Sequence, residues 1–450
     1  MSRSTDGRWC LGLSLGDGLW AVALRDRQSD RVGLLGQVQA SGATFAQPWS
    51  LLDWESPGSG GSRLLLDAGL PYRSPQTGQA HPLVSWAGEL RPLPQLLETL
   101  AESLARLQDP AIAWVTATGK PVPSQVLRSV EDVVVGYPVP SGEAFRFNSR
   151  ELVLKAGLVT HGQRVMTAAE GLGAALGWDG LQGWGCCWVI DLALQDHLPL
   201  HPSPTQAPVT PSHLTQITLL DRDFGRQLGQ THGLTGPWHS WPQWIETLNS
   251  ALNHLVAQSG IAPQKVERVL LRGAIAQEPR SGEPTRMIQD YLRQKCPSAT
   301  LHWEPPSQPL GRLAMGLSRL VDCPPWDDAK PYDDYFLFAA LLRHLTPEPQ
   351  PIDRLLEALA QDGIHGRTCR RSIQQLLAGE IPPGLLPHPS LAPNSLADPD
   401  YQALAAQSPF QCLASGWYAL DAVAGTRWRR YLGLVWGRSS TVALEPIGAI

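Results

Sequence analysis

The sequence predicts a two-lobed α/β protein followed by a mainly helical C-terminal module. Three observations carry that reading. The chain opens with three apolar runs, CLGLSL (10–15), LWAVAL (19–24) and VGLLGQVQA (32–40), separated by short Gly/Asp or polar breaks. That pattern predicts an antiparallel meander. The second half loosely repeats the plan of strands followed by helices, which implies a second α/β lobe and a cleft between the two. After VDCPPWDDAKPYDD (321–334), with its three prolines and several acids, helical patterns dominate, so a boundary is expected there.

The elements follow in order. ESPGSGGS (55–62) reads as a loop and RLLLDAG (63–69) as a strand. In PLPQLLETLAESLARLQ (92–108), Leu93, Leu96, Leu97, Leu100, Leu104 and Leu107 share one helical face. VEDVVVGYPVP (130–140) is a β-branched strand stopped by proline. FRFNSRELVLKAGL (145–158) reads as a helix ending near Gly157. RVMTA and the small-residue helix EGLGAALG come next, and CCWVIDLALQDHLPL (186–200) opens the second lobe as a buried strand that ends on one acidic residue, Asp191. HLTQITLLDRDFG holds a strand and a turn. WPQWIETLNSALNHLVAQSG (241–260) is a helix closed by Gly260, VERVLLRG (266–273) a strand, and PTRMIQDYLRQKC and LGRLAMGLSRLV are helices. The tail gives helices at YFLFAALLRHL, IDRLLEALAQ and RRSIQQLLAG. A proline-rich connection (381–399), a further helix and a terminal strand, YLGLVW, complete it. The expected domains are 1–180 (lobe I), 181–325 (lobe II) and 326–450 (the C-terminal module).

Composition narrows the function classes. Hydrophobic residues make up 43% of the 450 and charged residues 17%, an ordinary globular balance. The net charge of -5 supplies no domain-wide positive field, so general nucleic-acid binding is not expected. Seven cysteines without a CxxC pair fit a reducing compartment better than a disulfide framework. The N-terminus MSRSTDGRWC has no apolar signal region, and no stretch approaches the length of a membrane span. A soluble, cytoplasmic protein without a membrane span is expected. Its oligomeric state stays open.

The order of elements resembles the nucleotide-binding domain of the DnaK-type heat-shock proteins (the heat shock protein 70 family), within the actin-like, ribonuclease H-like superfold. Five segments in family order carry the resemblance. LGLSLGDGLWAVAL sits where the family has its first phosphate loop. VEDVVVGYPVPSGEAFRFNSRELVLKAGL resembles the strand, proline turn and helix of the first lobe. MTAAEGLGAALGWDG resembles the family's Asn-Glu-Pro-Thr-Ala-Ala helix, with Glu170 at the glutamate position. WVIDLALQD matches the second phosphate loop. VERVLLRGAIAQEP through LGRLAMGLSRL resembles the adenosine-loop strand and the closing helix. The match covers about residues 10–322 and rests on order and spacing.

The departures from that family set the functional expectation. Ser14 stands where the first loop has its acid, beside Gly16. Asp17 and Gly18 stand where threonines are expected, and a carboxylate there repels phosphate. After Asp191, Ala193-Leu194-Gln195 replaces the glycines of the second loop, and each Cβ hinders close backbone approach. Arg272-Gly273 replaces a Gly-Gly pair in the adenosine loop. Between Gly233 and Val266 there is room for one helix, where the family places a helical subdomain. The vestigial cleft is therefore Ser14, Gly16, Asp17, Glu170, Asp191, Arg272 and Gly273. The resemblance with these departures implies a non-catalytic, pseudo-ATPase scaffold or chaperone-like assembly factor that binds a protein partner, with no catalytic residue, metal or cofactor. The alternative is a DnaK-type ATPase with atypical loops that binds ATP-Mg. A scaffold version resembles the actin-like pilus-assembly proteins, which bind a partner's tail peptide. Asp191 reads either as a strand-end acid bonded to backbone or arginine, or as a metal or phosphate ligand. Arg272 is expected to pair with Asp17 or Asp191 and so lock the lobes, or else to bend out to solvent.

Weaker motifs have plainer readings. GLGAALG (171–177) loosely resembles a dinucleotide loop but fits helix packing better. His197, His201 and His213 have no metal-ligand spacing. Cys186 and Cys187 fit small core residues on opposite strand faces. TRWRRYLGLVWGR (426–438) reads as a nucleic-acid strand face or, better, as solvated arginines along a sheet edge.

Overall fold

The structure is a computed structural model. It describes residues 8–15, 19–38, 44–45, 49–50, 66, 72–73, 80–81, 83–86, 89–137, 143–160, 164–179, 186–195, 212–221, 226–231, 241–273, 283–303, 309–322, 334–361, 370–381, 403–404, 406–413 and 416–436. The fold is mixed α/β, with mixed multi-stranded sheets and several helices.

Three strands open the chain, β1 (Trp9–Leu15), β2 (Leu19–Asp26) and β3 (Arg31–Val38). Helix α1 (Leu93–Ala105) precedes β4 (Val130–Tyr137), and α2 (Glu143–Lys155), β5 (Val165–Ala169) and α3 (Glu170–Asp179) follow it. Then come β6 (Cys186–Gln195), β7 (Ser212–Asp221), β8 (Arg226–Thr231) and α4 (Trp241–Ser259). Next are β9 (Val266–Gly273), α5 (Glu283–Lys295), β10 (Thr300–Trp303) and α6 (Pro309–Arg319). The last segment holds α7 (Asp334–His344), β11 (Gln350–Pro351), α8 (Ile352–Gln361) and α9 (Arg370–Leu377). It ends with β12 (Phe410–Leu413), β13 (Trp417–Leu420) and α10 (Ala422–Trp436).

The chain divides into two compact units. The first comprises Met1–Trp54, Leu107–Pro140 and Thr167–Trp326. The second comprises Glu55–Arg106, Ser141–Met166 and Asp327–Ile450.

The first unit holds two sheets. One contains the order β3-β2-β1-β4-β5 and continues past β3 through short strands at 114–116 and 121–122. β1 runs antiparallel to β2 and parallel to β4, and β2 is antiparallel to β3, so the opening meander is present as expected. The other sheet is ordered β8-β7-β6-β9-β10, with β6 antiparallel to β7 and parallel to β9. Each sheet thus has a central strand with a meander on one side and a parallel neighbour on the other.

Burial follows from those positions. β1 is buried from Cys10 through Leu15, because a central strand is covered on both faces and reads as a continuous apolar run. In the second sheet, Trp188 and Ile190 of β6 and Val269 and Leu271 of β9 alternate onto one face. They pack there with Leu248, Leu252 and Leu255 of α4 and Ile288 and Leu292 of α5. Among the described residues, α4 is the one α-helix between β8 and β9, as the short segment requires.

Helices α3 and α6 cross at backbone contact. A Cβ on Gly316 would lie 1.7 Å from the Gly173 carbonyl oxygen, and one on Gly177 would lie 1.9 Å from the Arg312 carbonyl oxygen. α6 also lies directly on β1: a Cβ on Gly12 would meet the Ala314 carbonyl oxygen at 2.0 Å. These contacts are the use of GLGAALG. Three further ties hold α6. Arg25 Nη1 donates to the Ser318 and Arg319 carbonyls at 3.4 Å each, placing a cation at the helix C-terminus. The Cys10 thiol donates to the Ser318 carbonyl at 3.3 Å. Arg319 Nη1 donates to the Leu176 carbonyl of α3 at 2.7 Å.

In the second unit, α7, α8, α9 and α10 share one core with Phe147 of α2. Phe338 packs edge-on against Phe410 and Trp428, at 5.0 and 4.8 Å between ring centroids. Arg429 donates to the Leu342 carbonyl at 2.7 Å and the Leu345 carbonyl at 3.2 Å, satisfying the C-terminal end of α7. A small sheet, β11-β13-β12, was not anticipated.

Two sequence expectations are corrected. The terminal strand YLGLVW (431–436), and with it the sheet-edge reading of TRWRRYLGLVWGR, gives way to helix α10. A short apolar run fits strand or helix equally well. Here the start decides. Asp421 Oδ1 accepts from the N–H groups of Val423 and Ala424 at 3.0 and 2.8 Å, an N-cap that nucleates the helix. Buried Ala424 and Trp428 then follow at helical spacing. The expected strand RLLLDAG has one described residue, Leu66. It is helical and buried, and its carbonyl accepts from Asn148 Nδ2 at 2.8 Å.

Two measurements test this packing. Gly316→Ala is expected to destabilise the protein by about 3 kcal/mol, since backbone atoms of both Gly173 and Gly177 face the new methyl group. Denaturant unfolding reads it, and a near-unchanged midpoint would remove the close crossing. The second concerns Asp26, which takes a forked pair from Arg8 Nε and Nη2 at 3.1 and 2.9 Å. That hydrogen bonding holds the Asp26 carboxyl down to about 2. A depressed carboxyl contributes stability above its unfolded value, near pH 4, which is lost as pH falls toward about 2. Asp26→Asn should therefore flatten the stability loss between about pH 4 and 2. Superimposable acid limbs for the two proteins would contradict it.

Candidate functional site

Ser14, Glu170, Arg272 and Gly273 lie at or just past the carboxyl ends of strands, where sheet topology puts ligands in α/β proteins, whereas Asp191 lies inside β6. Ser14 is the penultimate residue of β1. It is fully buried, and its Oγ makes no hydrogen bond among the described residues. Glu170 is the first residue of α3, where a carboxylate is favoured by the helix dipole. It is 1% exposed, and a Cβ on Gly136, near the end of β4, would lie 3.3 Å from its Cγ. Gly16 and Asp17 lie outside the described residues.

Asp191 and Arg272 are register partners on the parallel strands β6 and β9, and Leu192 is partnered with Gly273, the last residue of β9. Arg272 is 4% exposed, so it does not bend out to solvent. The Asp191 side chain lies outside what the structure describes. The register has a consequence for the expected lock. A pair between Arg272 and Asp191 would tie two strands of one sheet and not two lobes. An interlobe tie requires Asp17.

The segment after Asp191 is the informative one. Asp191 does not end the strand as expected, and β6 does not turn there. It continues through Leu192, Ala193, Leu194 and Gln195, paired in unbroken register with Thr215, Leu214, His213 and Ser212 of β7. At Asp191 and Leu192 the strand has a neighbour on each side, β7 and β9. Backbone N–H groups engaged in a ladder cannot also converge on a phosphate, which needs several of them free in a turn or nest. Ala193 and Leu194 are ordinary strand residues, and a Cβ costs nothing in extended backbone.

The weaker motifs resolve as follows. GLGAALG packs helix on helix, as described above. Cys187 is buried, and half-buried Cys186 packs against the α4/α5 core. Neither is in a disulfide. His197 and His201 lie outside the described residues, and His213 sits in β7 opposite Leu194. Among the described residues no group of His, Cys, Asp and Glu could hold a metal, and no helix is long and apolar enough to cross a membrane.

No family model and no curated protein matches the chain.

Sequence reasoning missed two features. The first is the role of Gly12, Gly136 and Gly316 as contact points, since a glycine inside a strand or helix pattern does not announce its neighbour. The second is a polar groove between α4 and α5. Its residues recur at helical spacing on both helices, Ile245, Glu246 and Asn249 against Tyr291, Gln294 and Lys295, with Asn253 one turn further on bonded to Lys295. That spacing is visible in the sequence, but its pairing across two helices is not.

Proposed function

We propose that the chain is a non-catalytic scaffold of the actin-like type, a pseudo-ATPase related to the DnaK-type nucleotide-binding domain, that holds or assembles a protein partner in the cytoplasm. One observation carries the reading: β6 runs straight through the position of the second phosphate loop, with its backbone engaged in the ladder with β7. The equivalent order of the two sheets supports the actin-like part of the proposal. So does the crossing of α3 and α6 at glycine contacts. Buried Arg272 supports the pseudo-ATPase part, because a long cationic side chain takes up space in the strand that would lead to the adenosine loop.

On this proposal the first 325 or so residues form the two lobes, and the protein keeps one lobe arrangement instead of cycling with nucleotide. A ligand at a hundred times its Kd adds about 2.7 kcal/mol to stability, so nucleotide binding has a clear thermal readout. Millimolar ATP with Mg²⁺ is expected to leave the melting temperature unchanged, and calorimetric titration is expected to show no heat of micromolar binding. Micromolar affinity with a rise in melting temperature would sink the pseudo-ATPase reading and restore the ATPase alternative.

A further inference from the structure

A groove of about 360 Å³ lies between α4 and α5, lined by Ile245, Glu246, Asn249, Tyr291, Gln294 and Lys295. It is on the face of the second sheet that carries these helices. Its chemistry is organised around one ammonium. Lys295 Nζ donates to Asn249 Oδ1 at 2.9 Å and to Asn253 Oδ1 at 2.7 Å. Tyr291 Oη also donates to Asn249 Oδ1, at 2.9 Å. Burial pushes the Tyr291 hydroxyl up, so it stays a neutral donor.

This arrangement fixes three things. The Asn249 amide is held with its oxygen toward two donors, so its Nδ2 faces away from them as a donor itself. The same holds for Asn253, whose oxygen is turned to the ammonium. Lys295 has three N–H donors and uses two on neutral amide oxygens, leaving one. No carboxylate among the described residues forms an ion pair with it, although Glu246 lines the same groove. A lysine held by two amides, with no carboxylate of the described residues at ion-pair distance, keeps one N–H for an anion.

We propose that this groove binds a carboxylate, carried either by a small organic acid or by the C-terminal end of a peptide. The remaining ammonium N–H and the Asn249 N–H₂ group, both from residues that line the groove, supply donors for a carboxylate's oxygens, and Asn253 holds the ammonium in place. Glu246 on the groove disfavours a doubly charged anion such as phosphate by repulsion. Ile245 gives the ligand's first carbons an apolar surface. The proposal stands independently of the scaffold reading, since α4 and α5 lie on the opposite side of the second sheet from Arg272.

The test uses the full chain and three probes in calorimetric titration: butyrate, the peptide acetyl-Ala-Ala-Val as its free acid, and the same peptide as its C-terminal amide. The free-acid peptide is expected to bind and the amide is not. Binding of butyrate as well assigns the site to the carboxylate alone, and binding of the peptide acid alone assigns it to a chain end. Lys295→Met and Asn253→Leu should each weaken that binding by about tenfold or more. Asn253 is exposed, so its variant is expected to fold even if Lys295→Met does not. Failure of both acids to bind at about 10 mM, where a weak single-site contact still registers, overturns the proposal. So does equal binding of the amide, or unchanged affinity in Asn253→Leu.

Discussion

The close crossing of α3 and α6 on β1 is the constraint on which the first unit depends. Gly173, Gly177 and Gly316 bring two helix backbones to contact, and Gly12 lets α6 sit directly on the central strand. Side chains cannot mediate this packing, because there is no room for a Cβ. Shape is therefore set by backbone surfaces, which are stiff. The carbonyls at the C-terminal end of α6 are met by Arg25, and Arg319 reaches back to α3. Both sheets contribute to what surrounds this crossing: β1 lies under α6, and α3 leads from β5 toward β6.

That frame explains why Glu170 and Ser14 are buried without invoking chemistry. Glu170 begins α3 beside Gly136 and Leu317, so its position is dictated by where α3 must start. Ser14 is the penultimate residue of a strand that α6 covers. The remaining feature, continuation of β6 past Asp191, is a choice of local structure. Alanine, leucine and glutamine favour extended backbone over the positive-φ turns that a phosphate loop requires. The same side chains extend the ladder with β7.

Much of the fold was legible because its strongest signals are periodic. The leucines of α1, the apolar spacing of α4 and the β-branched run of β4 give their element types directly. Capping and pairing were less legible. YLGLVW reads as a strand until Asp421 is seen to cap the helix that contains it. The second unit's membership was hidden too. Phe147 of α2 belongs to the core built by α7 through α10, nearly two hundred residues later, and no local pattern encodes that contact. In the site, the residue types of Asp191 and Arg272 were legible but their register was not, because register depends on strand pairing across eighty residues. The groove at Lys295 was missed for the same reason: its halves are complementary only after α4 and α5 are packed.

Amide hydrogen exchange along β6, with and without ATP-Mg, tests the central claim most directly. Strand amides with a neighbour on each side exchange slowly, and loop amides exchange fast. The account predicts that Asp191 and Leu192 are as protected as Val189 and Ile190, and that nucleotide changes none of them. Fast exchange at Asp191 and Leu192 that becomes protected on adding ATP-Mg would contradict it.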